Sequence, residues 1–331
     1  MTVFKALRVI EEEENNFSMN LQEQSVDDLP EGELLIEVHY SSLNFKDALS
    51  AHGNRGVTKT YPHTPGIDAS GVVVSDGSGR FSEGDQVIVT GYDLGMNTNG
   101  GLAQYIRVPA EWAVPLPEGL TLREAMIYGT AGLTAALCLK KLLVMGAQPE
   151  DGEVVVTGAT GGVGTMAIAM LAKKGFRVAA VTGKLDSNEM LTSLGATKLI
   201  DRKSLDELAA KPMLKPQWAH AVDCLGGDYL FTVIKSLNYG GSVAACGLAA
   251  DASLKGNVFP FILRNVNLLG IDSVELPLSV KAEAWQMLAD ELKLDQLGSM
   301  AAEISLEQAP QHLQQIYNGH ALGRYIVKLT D

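Results

Sequence analysis

The chain opens on short runs in which apolar and polar residues alternate: Phe4–Glu11, Leu34–Ser41, Gly71–Ser75, Gln86–Thr90 and Leu102–Val108. A period of two reads as half-buried β-strand, and turn signals such as Pro30-Glu31-Gly32 and Glu83-Gly84-Asp85 separate the runs. Many short strands with frequent turns predict a compact barrel-like β domain. The acidic stretch Glu11–Glu14 reads as a solvated strand end or turn. From Ala125 the pattern changes. Thr121–Val144 is helical in composition, and strands then alternate with helices at Val154–Thr157, Arg177–Thr182, Lys198–Asp201, His220–Asp223, Ser242–Cys246 and Leu268–Ser273. That rhythm predicts an α/β fold, a doubly wound parallel sheet with helices on both faces. Two helices, Lys281–Leu292 and Leu306–Tyr317, and a strand, Arg324–Leu329, end the chain. The predicted division is residues 1–124, completed by 276–331, around a sheet domain at 125–275.

Residues 154–184, VVVTGATGGVGTMAIAMLAKKGFRVAAVTGK, carry the densest pattern. A β-branched strand leads into a glycine-rich turn, a helix at Thr165–Lys174 and a second strand. Ala159, Gly161 and Gly164 fall at the spacing of the dinucleotide fingerprint, with alanine in place of the first, turn-forming glycine. Thr160, Gly161, Gly162, Val163 and Gly164 read as the pyrophosphate cradle, with free N–H groups at the helix start. An NAD site carries an acid at the end of the second strand. Here Thr182, Gly183 and Lys184 stand there, a hydroxyl, a small residue and a cation that suit a 2′-phosphate. NADPH is the expected cofactor, with Asp186 slightly farther along. Arg202, after the third strand, either adds a second cation or makes a surface salt bridge. Leu248 and Ser273 end the fifth and sixth strands, whose carboxyl ends line the ligand crevice in such sheets.

Composition narrows the setting. The 331 residues are 46% hydrophobic and 20% charged, as in a soluble globular protein long enough for two domains. A net charge of −13 argues against nucleic acid or an anionic membrane as partner. No apolar run approaches the ~20 residues of a bilayer span, and MTVFKALRVIEEEENN lacks the pattern of a signal peptide. Cys138, Cys224 and Cys246 form an odd, scattered set, read as core residues of a cytoplasmic protein.

A β-rich domain ahead of a mid-chain nucleotide fold, together with several local phrases, resembles the medium-chain dehydrogenase/reductase superfamily. The phrases are SLNFKD at 42–47, PGIDASG at 65–71, GDQV at 84–87, GGLA at 100–103 and GTAGLTA at 129–135. Within it the chain resembles the zinc-independent quinone oxidoreductases. NFKDAL, TGATGGVG, VAACGLA and PFILRNVNLLGIDSV are similar to the branch that includes acryloyl-CoA reductases. The resemblance implies a GroES-like catalytic domain beside the Rossmann domain. It implies no metal: zinc-containing relatives carry His-Glu where this chain has Ile67-Asp68, and a cysteine near Asn44. His39, His52 and His63 read as loop or surface histidines.

The implied reaction is NADPH-dependent reduction of an activated carbon–carbon double bond, acryloyl-CoA being the most specific substrate. NADPH:quinone oxidoreduction is the alternative, and a non-catalytic NADPH-binding protein is the alternative of another class. Asn44 reads either as a polar group beside the nicotinamide or substrate carbonyl, or as the cap of a helix over Lys46–Ala51. Phe45 by resemblance packs on the cofactor, and Arg324, in Gly323-Arg324-Tyr325, reaches its phosphates. Asp47 reads as a structural partner of the backbone or of Lys46, and Asp68 as a turn carboxylate. Arg55 stands about where enoyl-reductase relatives place a proton-donating tyrosine. It reads as an anion-binding or electrostatic group, or as a solvated loop arginine. Tyr61, Tyr92, Tyr128 and water are the remaining donors. The strand at Leu268–Ser273 would lie at the sheet edge, so a homodimer is expected.

Overall fold

The computed structural model describes residues 2–330. In chain order the elements are β1 (Val3–Glu13), β2 (Asn16–Ser25), β3 (Leu34–Ser42), α1 (Phe45–Ala51), β4 (Asp68–Asp76), β5 (Gln86–Thr90), β6 (Tyr105–Val108), β7 (Ala113–Pro115) and α2 (Leu122–Val144). There follow β8 (Glu153–Thr157), α3 (Gly162–Lys173), β9 (Arg177–Thr182), α4 (Asn188–Ser193), β10 (Ala196–Asp201), α5 (Lys203–Asp206), β11 (Trp218–Asp223), α6 (Gly227–Ser236), β12 (Leu237–Ala245), α7 (Phe259–Arg264) and β13 (Asn267–Gly270). The chain closes with α8 (Leu278–Ala289), β14 (Ala301–Ser305), α9 (Ala309–Tyr317) and β15 (Arg324–Lys328). It divides into a β-rich unit, residues 1–130 and 273–331, and a parallel-sheet unit, residues 131–272. The sequence-based borders at 124/125 and 275/276 lie a few residues away; both versions of the first border fall inside α2, the structural one just past its break. That helix breaks at Gly129, whose φ of 50° and ψ of −159° are not helical. α2 is long and apolar enough to pass for a membrane span, a candidate missed by the sequence reading, yet 72% of the window is buried in the protein. It is a core helix.

The β-rich unit is built on a seven-stranded sheet in the order β14-β15-β3-β4-β5-β7, with β6 also on β3. All its pairings are antiparallel except β14 with β15. Leu34, Ile36 and Val38 alternate inward from β3 and meet Val87, Val89 and Ile106 in one core. The hairpin β1–β2 was half missed from sequence. NFSMNLQEQS is polar because its strand is largely exposed, and Asn15 supplies the left-handed turn residue. β7 and β14, three and five residues long, were also missed. The C-terminal segment is held to this unit by buried Lys281, which donates to the Thr90 (2.7 Å) and Val274 (3.2 Å) carbonyls. Its ammonium lies 3.5 Å from the centre of the Tyr92 ring.

The parallel-sheet unit has the strand order β10-β9-β8-β11-β12-β13. Renumbered within the unit this is 3-2-1-4-5-6, the dinucleotide-binding order whose direction reverses beside the first strand. Every pairing is parallel. The strands read as continuous apolar runs because helices cover both faces, and Val154, Val155 and Val156 are fully buried. β13 is shorter than expected, ending at Gly270.

Candidate active and cofactor sites

In the parallel-sheet unit, β8 ends at Thr157 and the chain turns through Gly158 into α3. The residue in the left-handed region is Gly158, with φ +62°, not the next position. The turn glycine that the fingerprint appeared to lack is therefore present one residue earlier. Gly161 is the N-cap of α3, extended at φ −82°, and its N–H donates to the Gly158 carbonyl at 2.9 Å. A Cβ on Gly164 would stand 2.3 Å from that same carbonyl oxygen. Only glycine lets the helix start this close to the strand end. The amides of Gly162, Val163 and Gly164 occupy the first turn, where a helix has no acceptor of its own. Thr160 is buried beside Thr182, hydroxyl to hydroxyl at 3.5 Å.

At the end of β9, the Thr182 hydroxyl accepts the Lys184 N–H at 3.0 Å and so fixes the first turn beyond the strand. The Arg202 guanidinium lies over Gly183, where a Cβ would meet its Nη2 at 3.3 Å. Arg202 also stands over the Tyr229 ring. Burial, and then the neighbouring Arg202 charge, lower the Lys184 pKa. Of the two readings of Arg202, the structure thus favours a second cation beside Lys184. Leu248 lies three residues past β12 in a loop and is 59% exposed. Ser273 is corrected: β13 ends at Gly270, and Ser273 is the first residue of the returning β-rich segment. There its carbonyl packs on Gly91.

The β-rich unit contains a buried polar cluster that sequence reasoning did not assemble. Asp68, the first residue of β4, is fully buried. Its Oδ2 accepts from Ser42 Oγ (2.5 Å), Asn44 Nδ2 (2.8 Å) and Thr130 N (2.9 Å), and its Oδ1 from Thr130 Oγ1 (2.5 Å). It is no turn carboxylate. Arg324, also buried, donates to Ser42 Oγ (2.8 Å), Asn44 Oδ1 (3.0 Å) and the Leu43 and Ile127 carbonyls, with Asp68 3.9 Å away. The expectation that Arg324 reaches the cofactor phosphates is corrected, since its donors serve this cluster. Gly129 makes the approach possible. A Cβ there would lie 2.5 Å from both Arg324 Nη2 and Ser42 Oγ.

Asn44 is the N-cap residue of α1 and forms a capping box with Asp47. Both amide hydrogens go to Asp68 and to the Ser42 carbonyl (3.3 Å), and its oxygen accepts from Arg324. Asp47 accepts the Asn44 N–H at 2.8 Å and, with its other oxygen, the Gly66 and Ile67 N–H groups. Burial, then the Asp68 charge, push its pKa up to about 7. One guanidinium thus sits among two buried carboxylates. Asn44, half-buried, has no spare donor. Phe45 is 40% exposed.

Arg55 is corrected as a catalytic candidate. It pairs with Glu11 at 2.6 Å, donates to the Lys59 carbonyl and lies over the Phe17 and Tyr61 rings. Three tyrosines considered as proton donors spend their hydroxyls on carbonyls: Tyr61 on Ser50, Tyr92 on Leu276 and Tyr128 on Leu292. Burial raises the pKa of Tyr128 to about 12.

Two family models match the chain, "Alcohol dehydrogenase GroES-like domain" over residues 30–118 and "Zinc-binding dehydrogenase" over 162–291. An acrylyl-CoA reductase of Ruegeria pomeroyi, AcuI, is 44% identical over 329 residues, 99% of this chain and 100% of that protein. YhfP of Bacillus subtilis, which carries a quinone oxidoreductase name, is 45% identical over 99% of both chains. Its crystal structure, with NAD bound, superposes with a TM-score of 0.95 over 99% of this chain and 100% of that one. Escherichia coli YhdH with bound NADPH gives 0.94 at 44% identity, over 98% of this chain and 100% of that one. The residues present do not fit the zinc in the second model's description. Ile67 has no donor atom, the Asn44 amide is committed, and the Asp68 oxygens are filled by protein donors. Among the described residues no group of three or more His, Cys, Asp or Glu side chains is placed to hold a metal ion.

Proposed function

The chain belongs to the zinc-independent quinone oxidoreductase branch of the medium-chain dehydrogenase/reductase family, and on that premise we propose that it is an NADPH-dependent reductase of activated carbon–carbon double bonds, with acryloyl-CoA as substrate. The observation that carries the cofactor half is the Arg202 guanidinium over Gly183 at the end of β9, close enough to Lys184 for its charge to lower the lysine pKa after burial. Two like charges brought together on a protein of net charge −13 suit a phosphate dianion better than a ribose hydroxyl. NADPH bound in a structure at 44% identity supports the same reading. The substrate half rests on the full-length similarity to an acrylyl-CoA reductase.

Gly158, Gly161 and Gly164 keep side chains out of the pyrophosphate position, the α3 amides donate to it, and Thr160 and Thr182 line the approach to the 2′-phosphate cations. When bound, NADPH supplies the hydride, which goes to the β-carbon of the enoyl thioester. Negative charge then gathers on the thioester oxygen, and donors aimed at such an oxygen are worth about 3–4 kcal/mol each. Asn44 is held by Asp68 and Arg324 with its N–H groups occupied, so its role is to position the start of α1 and the buried cluster. With the Tyr61, Tyr92 and Tyr128 hydroxyls committed, water is the proton source for the α-carbon. Steady-state assays with acryloyl-CoA and a benzoquinone, each with NADPH and NADH, test the proposal. Rapid quinone turnover with negligible thioester turnover would overturn it in favour of quinone reduction, and no turnover of either would favour a binding protein.

The same reading extends to assembly. β13 is an edge strand, and α7 just before it exposes Phe259, Ile262 and Leu263. An open edge flanked by an apolar face suits a second copy of this chain in an isologous pair. Light scattering at micromolar concentration is expected to give a dimer mass, and a monomer would contradict it. Cytoplasmic residence is part of the proposal, on the strength of three unlinked cysteines.

A further inference from the structure

The three cysteines, far apart in sequence, meet in the parallel-sheet unit. β11 and β12 end in register at Asp223 and Ala245, so Cys224 and Cys246 are the next residues on neighbouring parallel strands. Their sulfurs are 3.8 Å apart. Parallel neighbours lie about 4.8 Å apart across the sheet, inside the range of roughly 4.4–6.8 Å that a disulfide spans between Cα atoms. To join them, the sulfurs must close from 3.8 Å to a bond length of about 2.05 Å. Both are part-exposed, whereas Cys138 on α2 is buried. The S–H groups of Cys138 and Cys224 favour the Cys246 thiolate and hold its pKa down against burial, while the same contacts push theirs up. Cys246 Sγ, 3.8 Å from Cys224 Sγ and 3.2 Å from the Asp223 carbonyl that its S–H reaches when protonated, is the sulfur assigned the attack.

Cys224 is also the floor of the glycine-rich turn. A Cβ on Gly158 would stand 3.2 Å from Cys224 Cβ, and the Cys224 N–H is fixed by Thr157 Oγ1 at 3.1 Å. On its other side Gly247 packs so closely that a Cβ would lie 2.4 Å from the Cys224 carbonyl oxygen. A side chain hemmed in this way cannot move without the turn responding.

We propose that Cys224 and Cys246 are a reversible disulfide site, closed by peroxide, that couples oxidation to the cofactor turn. The Cys246 thiolate attacks one peroxide oxygen, the O–O bond breaks, and hydroxide leaves to give a sulfenic acid. The Cys224 sulfur then attacks that sulfur, the S–S bond forms, the S–O bond breaks, and water leaves carrying the Cys224 proton. Two thiols are oxidised and one peroxide becomes two waters. Coupling to affinity rests on the proposed cofactor site, whereas the disulfide itself does not.

The test treats the full-length protein with hydrogen peroxide and reads mass, thiols and kinetics. The expected mass loss is that of two hydrogens, with the Cys224 and Cys246 peptides joined. Denatured thiol titration should fall from three groups to one, and dithiothreitol should restore all three. The KM for NADPH should rise several-fold on oxidation and return on reduction, with bound NADPH slowing closure. Cys224→Ser and Cys246→Ser should each abolish the reversible change, and Cys138→Ser should keep it. Irreversible Cys246 oxidation without linkage, a bond to Cys138, or an unchanged thiol count would overturn the site. Linkage with unchanged KM would overturn the coupling. Should the enzyme prefer NADH, the linkage still forms and the KM for NADH is the one that rises, which separates this proposal from the cofactor reading.

Discussion

The two units build their candidate sites in opposite ways. The parallel-sheet unit makes its site from backbone, with glycines clustered over residues 158–164 and short side chains that leave room for a ligand. The β-rich unit makes its site from side chains drawn from positions 42, 44, 47, 68, 130 and 324, packed so fully that almost every donor is consumed. The first is a turn kept clear of side chains, the second a buried network. A backbone site should fail when space is filled, and a network site when one charge is removed.

The largest effect is expected from Gly164→Val. Its Cβ would meet the Gly158 carbonyl at 2.3 Å, and calorimetric titration should find no NADPH binding. Measurable binding would mean that the helix start does not hold the pyrophosphate. Next comes Asp68→Ala, which strands the buried Arg324 charge. Urea unfolding should show a loss of about 3–5 kcal/mol, and Asp68→Leu with Arg324→Met should recover part of it. If the single variant unfolds like the parent, the network is not what holds this unit.

Lys184→Ala sharpens the comparison from the cofactor side. Loss of one charge-assisted contact should raise the KM for NADPH about tenfold or more and leave that for NADH almost unchanged. Equal effects on both would remove the case for 2′-phosphate recognition. The pH dependence of stability is smaller and runs against the usual trend for carboxylates. Asp47, with its folded pKa raised to about 7, and Asp223, raised to about 6 chiefly by burial, hold protons that the unfolded chain has already released. Their contribution is fully present below the unfolded pKa near 4 and is lost as pH rises through the folded values. Relative to Asp47→Asn, the parent should therefore lose advantage between pH 4 and 7, read by denaturant midpoints. A constant difference would show that Asp47 is ionised throughout. Arg55→Ala should change least, by about 1 kcal/mol or less, with kcat unchanged. A large fall in kcat would return Arg55 to the active site.

How much was legible followed the same divide. β5 and β9 were read to the residue, because their apolar pattern is dictated by burial on the sheet. The glycine turn was legible because its function is local, although the fingerprint puts alanine at the turn position and the left-handed residue is Gly158 just before it. Asp68 and Arg324 were both noticed and both misread. Neither a Pro-Gly turn nor a C-terminal Gly-Arg-Tyr says that the two side chains meet, 256 positions apart, around a bend at Gly129. Asn44 stood evenly between cap and polar group, and the structure gives it both places, in a capping box with Asp47 and in the cluster of Asp68 and Arg324.

By itself the sequence determined the class of fold, the alternation of strands and helices, the dinucleotide turn and the cation that follows it. These are set by periodicity and by contacts within a few tens of residues. Tertiary structure alone decided which polar groups are consumed and which stay free. It joined Arg324 to Asp68 rather than to a phosphate and tied Arg55 to Glu11, and it turned three scattered cysteines into neighbours. Hydrogen-bond donors and thiols are satisfied by whatever the packing brings within reach, and that reach is set by strand register and helix breaks rather than by distance along the chain.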